Sequence, residues 1–296
     1  MEFIDIGANL TDGMFYGSYH GKEKHEPDLG RVIDRAREHG VKQMMLTVGS
    51  VSDMKDAYDL CKHHPGELFA TVGIHPTRAK ELESGKITID RLRQVANDNK
   101  GTIAAYGEFG LDYDRLHFCP AGVQRKWFEK QLELAVELEL PLFLHCRAAA
   151  DDFLAIITPF ITRLKGGVVH SYTGDVAAMR KMIEMGLHIG VNGCSLKTEE
   201  NLDVVKQIPL DRLMLETDCP YCDIRATHAG SGLVKTKFNT RPNHRYDPSC
   251  LVKGRCEPCQ IVQVAEVVSV VCDVPVEQLA KTAFDNTCAV FTMLRQ

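Results

Sequence analysis

The chain has 296 residues, with 35 Lys and Arg against 40 Asp and Glu, a formal net charge of −5, 44 % hydrophobic and 25 % charged residues. That composition belongs to a folded globular protein and excludes a disordered chain, a collagen-like repeat and a small disulfide scaffold. No apolar run approaches the roughly 18–20 residues that span a bilayer, and the acidic total argues against a protein coated in nucleic acid.

Short aliphatic and β-branched runs recur along the chain. They are Phe3–Gly7, Gln43–Val48, Phe69–Ile74, Ile103–Glu108, Leu142–Cys146, Gly167–Ser171, His188–Asn192 and Leu213–Asp218. Nearly continuous apolar runs of this length suit parallel strands buried on both faces. Their starts, from position 3 to position 213, are 30 residues apart on average, the length of one βα unit. Between them, Leu29–His39, Gln124–Leu138, Asp175–Met185 and Asn201–Ile208 carry apolar residues at helical spacing. Eight strands alternating with helices predict one α/β domain over residues 1–296, a (β/α)8 TIM barrel. A doubly wound sheet is the alternative, but no Gly-rich phosphate loop opens a helix. After the eighth run, residues 219–255 form an irregular, basic insertion, and helical patterns at Gln260–Val271 and Val276–Met293 close the chain.

Many runs finish on a side chain that binds metal or moves protons. Asp5 lies in the first, with Asn9 just after it. His75 follows the third, Glu108 ends the fourth, His145 lies in the fifth, His170 in the sixth, Asn192 in the seventh and Asp218 in the eighth. In a parallel barrel these C-terminal strand ends share one rim, where active sites sit. One such histidine alone is more often structural. Three histidines and two carboxylates on one rim match the N/O donor set of a divalent-metal hydrolase.

The stretches DIGANLTD at 5–12, TVGIHP at 71–76, GEFGLDYDR at 107–115, LFLHCR at 142–147, VVHSYTG at 168–174 and LMLETDCPY at 213–221 run in one order along nearly the whole chain. In this the sequence resembles the TatD family of metal-dependent deoxyribonucleases, within the amidohydrolase-like TIM-barrel hydrolases, and its eukaryotic branch most of all. CEPC at 256–259 falls where that family has an Asn-Glu-Pro element. The resemblance implies that Glu108 is an acidic ligand able to bridge two ions and that His145 and His170 hold one ion. It implies that Asp218 is a ligand that also positions the attacking water, and that His75 sits near the scissile phosphate. Many relatives carry His-x-His after strand one, where this chain has Gly7 and Asn9. Asp5 and Asn9 are then the available replacements, which predicts one firmly held ion (Mg²⁺, Mn²⁺ or Zn²⁺) and a weaker second.

The chemistry is consistent with these roles. A divalent ion offsets phosphate charge and lowers the pKa of water. Asp218 would accept the water's proton, His75 would contact the phosphate or protonate the leaving group, and Arg147 would hold a phosphate oxygen.

Two CxxC pairs, Cys219/Cys222 and Cys256/Cys259, have the local spacing of a zinc ribbon. The gap between them is too long for the usual ribbon, and the first abuts Asp218. Eleven cysteines in all, with no leader pattern in MEFIDIGANL, predict reduced thiols in an intracellular compartment, cytoplasm or nucleus. Ile224–Arg255 holds seven basic residues against one acid, which leaves 28 basic and 39 acidic residues, −11, elsewhere. Arg225, Lys235, Lys237, Arg241 and Arg245 are the candidate substrate contacts, with Phe238 and Tyr246 able to stack on bases. The expected partner is DNA, single-stranded or at ends, with other nucleic acid open and no membrane. The expected function is exonucleolytic hydrolysis of DNA. The alternatives are an ester or amide hydrolase such as a D-aminoacyl-tRNA deacylase, and a catalytically silent metal-binding scaffold.

Overall fold

Eight of the apolar runs pair side by side in a computed structural model that describes residues 1–295. The strands are β1 (Phe3–Ala8), β2 (Val41–Leu46), β3 (Leu68–Val72), β4 (Ile103–Asp112), β5 (Leu142–Arg147), β6 (Gly167–Val169), β7 (His188–Val191) and β8 (Leu213–Leu215). They lie in the sheet in chain order, each parallel to the next. The ring closes just beyond β8. Asp218 N donates to Gly7 O at 2.8 Å, Asn9 N donates to Cys219 O at 2.8 Å, and Ala8 bridges Cys219. This explains why the strand expected to reach Asp218 stops at Leu215: from there the chain exchanges its neighbour β7 for β1.

Helices α1 (Leu29–Glu38), α2 (Val51–His63), α3 (Lys80–Glu83), α4 (Ile89–Asp98), α5 (Ala121–Leu138), α6 (Ala150–Ile157), α7 (Val176–Glu184), α8 (Glu199–Val205), α9 (Ile261–Val271) and α10 (Val276–Val290) lie between and after the strands. Local sequence starts several of them. Asp175 caps α7 by accepting from Ala178 N at 2.8 Å, and Thr198 and Asn201 form a reciprocal capping box at α8. In α5, Phe128, Leu132 and Ala135 face the barrel, Phe128 and Leu132 each contributing roughly 1.5–3 kcal/mol by burial. No single helix among the described residues is long and apolar enough to cross a membrane.

Inside the barrel, Ile4, Ile6, Met45, Phe69, Phe143, Val168 and Met214 form a separate apolar cluster, closed at the strands' N-terminal end by Phe291 and Leu294. With that end plugged, only the C-terminal rim is left to hold polar chemistry.

The insertion at 219–255 is ordered. It consists of 3₁₀ turns and one two-residue pairing of Thr240–Arg241 with Leu251–Val252. Lys235 N and Thr236 N donate to Glu266 of α9 at 2.8 and 2.9 Å. Phe238 packs on His39, 5.0 Å between ring centres. His39 follows α1 at the far end of the barrel, so the segment descends the outer wall before returning. Its last residue, Arg255, is 1 % exposed. It donates to Asp28 at 2.7 Å twice, to Glu257 at 2.8 Å and to Met14 O at 3.0 Å. Arg35 holds Glu257 from the other side at 2.8 and 3.0 Å. Removing one member of such a buried ion network costs about 3–5 kcal/mol, because the others are left unpaired.

Candidate active site

Side chains alternate along a strand, so the inward set is fixed by parity. Phe143 faces the barrel interior, and His145 and Arg147 follow it at steps of two on β5. Met214 does the same for Glu216 and Asp218 beyond β8. In β4, a register shift between Gly107 and Phe109 interrupts the alternation. Tyr106 and Phe109 both face the helices, and Glu108, Gly110 and Asp112 turn inward.

The result is a buried cluster at the rim. Glu108 Oε1 lies 2.7 Å from His170 Nε2, 2.8 Å from His145 Nδ1 and 3.4 Å from His75 Nε2. His145 Nδ1 and His170 Nε2 are 3.4 Å apart. His75, Glu108 and His145 satisfy the spacing of a metal-holding group, and His170 shares the same carboxylate oxygen.

The outer hydrogen bonds assign the protons. His145 Nε2 donates to Asp112 Oδ2 at 3.2 Å. His170 Nδ1 donates to Glu216 Oε2 at 3.3 Å. In neutral rings this leaves His145 Nδ1 and His170 Nε2 as lone pairs aimed at Glu108 Oε1. With an ion bound, these three would be electron-pair donors to one cation; without one, the Glu108 and Glu216 carboxylates hold a proton on His170 in its place. Carboxylates behind ligating imidazoles are the usual outer support of a metal site. His75 is wired the other way. Its Nδ1 accepts from Thr77 N at 3.1 Å, so the ring proton sits on Nε2 and faces the cluster. His75 is therefore a donor toward the site, and Glu108, His145 and His170 are the residues able to hold the ion.

Electrostatics agree. Burial alone would lower the pKa of His170, but the Glu108 and Glu216 carboxylates outweigh it and hold the ring well above its ordinary value. Burial would raise Glu108, and the His170 and His75 rings instead pull it well below. The site thus attracts positive charge. Burial brings His75 down to about 3, so its ring is neutral at working pH. Burial brings Asp218 up to about 6, where a carboxylate is a useful proton acceptor near neutrality.

Asp218 Oδ1 accepts from Asn9 Nδ2 at 3.1 Å and its Oδ2 from Cys222 Sγ at 3.3 Å; its carboxyl feels the charges of His170, Glu216 and Glu108. Asn9 also donates to Cys219 O at 2.9 Å. Arg147 sits at the rim with Nη2 donating to Ser171 O at 3.4 Å, and its buried Nε has no partner among the described residues.

Several expectations need correction. Asp5 lies outside the cluster. Ile4 and Ile6 take the inward positions, so Asp5 points to the outer side, where it accepts from Thr217 N at 2.9 Å, Thr217 Oγ1 at 2.5 Å and Gly7 N at 3.2 Å. It clasps β1 to the end of β8. A side chain at Gly7 would run into the Glu216 carboxylate, so this chain's Gly7 accompanies the inward Glu216. In the basic insertion Arg225, Lys235, Lys237, Arg241 and Arg245 are all exposed, and the backbone at Lys235 is held beside α9 through Glu266. Phe238 lies against His39 and Tyr246 is stacked on His25 at 4.3 Å, and both rings are partly exposed. The CxxC pairs form no ribbon. Cys219, Cys256 and Cys259 are buried, and Cys222 instead meets Cys194. Asp112, Glu216 and Thr77 were not singled out from sequence, although the first two share the parity of Glu108 and Asp218.

An eight-stranded parallel barrel, plugged at one end and bearing this donor set at the other, defines a metal-dependent hydrolase of the amidohydrolase-like kind. The chain belongs to the TatD family, matching the description TatD related DNase over residues 4–292. It is 46 % identical to Deoxyribonuclease Tat-D of Schizosaccharomyces pombe, over 97 % of this chain and 95 % of that one. It is 35 % identical to the 3'-5' ssDNA/RNA exonuclease TatD of a Rahnella species, over 84 % and 86 %. Among solved structures, a TatD family hydrolase from Entamoeba histolytica superposes with a TM-score of 0.93 at 34 % identity, covering 98 % of each chain.

Proposed function

We propose that this protein is a metal-dependent deoxyribonuclease that hydrolyses DNA phosphodiester bonds, working as an exonuclease on single-stranded or frayed ends. The observation that carries the reading is the convergence of Glu108 Oε1, His145 Nδ1 and His170 Nε2, each ring proton being claimed on its outer side by a carboxylate. These three residues hold one divalent ion, Mg²⁺, Mn²⁺ or Zn²⁺. Asp218, with the free Oδ1 of Asn9, is the seat of a weaker second. A bound divalent ion supplies charge to offset the phosphate and acidifies water.

The chain's own groups do the rest. Asp218 accepts the water's proton. His75 Nε2–H donates to a phosphate oxygen; a ring this hard to protonate supports that role over proton donation to the leaving group. The guanidinium of the half-buried Arg147 fits a second phosphate oxygen.

The test is release of nucleotides from end-labelled single-stranded DNA with added Mg²⁺ or Mn²⁺. Activity should vanish in EDTA and in a His145→Ala/Asp218→Ala double variant. Cleavage that survives either change overturns the reading. Hydrolysis of D-aminoacyl-tRNA without cleavage of DNA would move the function to ester chemistry.

A further inference from the structure

The CxxC spacing suggests that Cys222 belongs with Cys219. The fold pairs it otherwise. Cys194 Sγ, from the turn after β7, lies 2.7 Å from Cys222 Sγ. A covalent S–S bond is about 2.05 Å long, so the sulfurs would need to close by under about 1 Å. Both residues are partly exposed, whereas Cys219 is buried.

The contact is built by its surroundings. Asn192 Oδ1 accepts from Cys194 N at 2.9 Å and fixes the turn after β7. Gly193 lets the β8 loop come close: a Cβ there would collide with the carbonyl oxygen of Cys222. Cys222 itself adopts a left-handed backbone, φ 53°. On its far side, Cys222 Sγ donates to Asp218 Oδ2 at 3.3 Å. The two thiols thus form a short donor chain that ends on the proposed proton acceptor.

We propose that Cys194 and Cys222 are a modification site, a dithiol that hydrogen peroxide or a similar hydroperoxide oxidises reversibly to a disulfide tethering the β7 and β8 rim segments beside Asp218. The Cys194 sulfur attacks one peroxide oxygen. The O–O bond breaks, an S–O bond forms, and the displaced hydroxide leaves as water with the thiol proton. The Cys222 sulfur then attacks the sulfenic sulfur. The S–S bond forms, the S–O bond breaks, and the second hydroxide takes the Cys222 proton and leaves as water. Two thiols lose two electrons and one peroxide gains them. A dithiol reductant reverses the change. The disulfide removes the S–H donor from Asp218 and adds a covalent link between two segments that hydrogen bonds such as Glu216 N to Val191 O already join.

The experiment is peptide mapping of the full chain, which needs no assumption about the substrate. Reduced, desalted protein is treated with hydrogen peroxide at a dose that oxidises free glutathione. Remaining thiols are alkylated and the protein is digested without reduction. The expected product is the Cys194 peptide joined to the Cys222 peptide, lighter by two hydrogens than the two together. It should rise at least tenfold over untreated protein, disappear with dithiothreitol and be absent from Cys194→Ser. Full alkylation of both cysteines after peroxide, or a Cys219–Cys222 link in its place, overturns the proposal. Because the readout is covalent mass, its failure would not touch the nuclease reading, and failure of the nuclease assay would not touch this result.

Discussion

His75 and His145 stand 4.6 Å apart, ring centre to ring centre, yet hydrogen bonding gives them opposite roles. Thr77 N donates to His75 Nδ1 and leaves the proton on Nε2. Asp112 accepts from His145 Nε2 and leaves Nδ1 as a lone pair. A ring that presents a proton cannot coordinate a cation with the same atom. His145→Ala should therefore lose bound metal together with activity, measured by elemental analysis after gel filtration. His75→Ala should keep its metal while kcat falls about 10²–10³-fold, the usual effect of removing one donor to the charge that develops in a transition state. A His75→Ala protein that purifies metal-free would make His75 a ligand and refute the tautomer argument.

At the scale of elements, strand parity decides which polar residues reach the rim. The strand ends bearing Glu108, His145, His170 and Asp218 were legible in sequence because apolar runs ending on such side chains are conspicuous. Asp5 was misread because it sits inside its run: the interior faces of Ile4 and Ile6 send it to the outer side. Glu216 and Asp112 were missed because their work, holding the outer nitrogens of two rings, depends on contacts between strands far apart in the chain. The inward turn of Glu108 rests on a register shift that no residue pattern announces. Asp5 offers a test of its clasping role. Burial, tempered by the Thr217 and Gly7 donors, raises its carboxyl from 3.8 to about 7. A folded-state pKa above the unfolded one gives stability that is complete below the unfolded value. It is lost as pH rises through the folded value, because the folded state alone keeps its proton between them. Three pKa units correspond to about 4 kcal/mol at most. Urea unfolding at pH 4 to 8 should show wild type losing stability relative to Asp5→Asn over that range, then running parallel above it. Curves parallel throughout would place Asp5 in an unstrained, solvated setting.

For the whole molecule, the net charge of −5 averages an acidic body over a segment with seven basic residues and one acid. Structure divides that segment further. Arg255 is spent inside, neutralised by Asp28 and Glu257. Lys235 and Lys237 are exposed, but their backbone is tied to the middle of α9 through Glu266 and continues toward His39 at the far end. A strand whose end lies at Glu108 and His170 would have to run down the outer wall to reach them. Arg225 follows Asp218 by seven residues at the start of the insertion, and Arg245 stands beside the Tyr246 that stacks on His25 in the segment after β1. Each phosphate neutralised on a single strand adds roughly 0.7 to the slope of log affinity against log salt. Replacing Arg225, Arg241 and Arg245 with Gln should therefore flatten that slope by up to about 2, as read by fluorescence anisotropy on labelled single-stranded DNA. Lys235→Gln/Lys237→Gln should leave it unchanged, because those charges face solvent on a wall the strand does not cross. The reverse ranking would mean that the strand leaves the rim along α9, and that the acidic body repels it everywhere else.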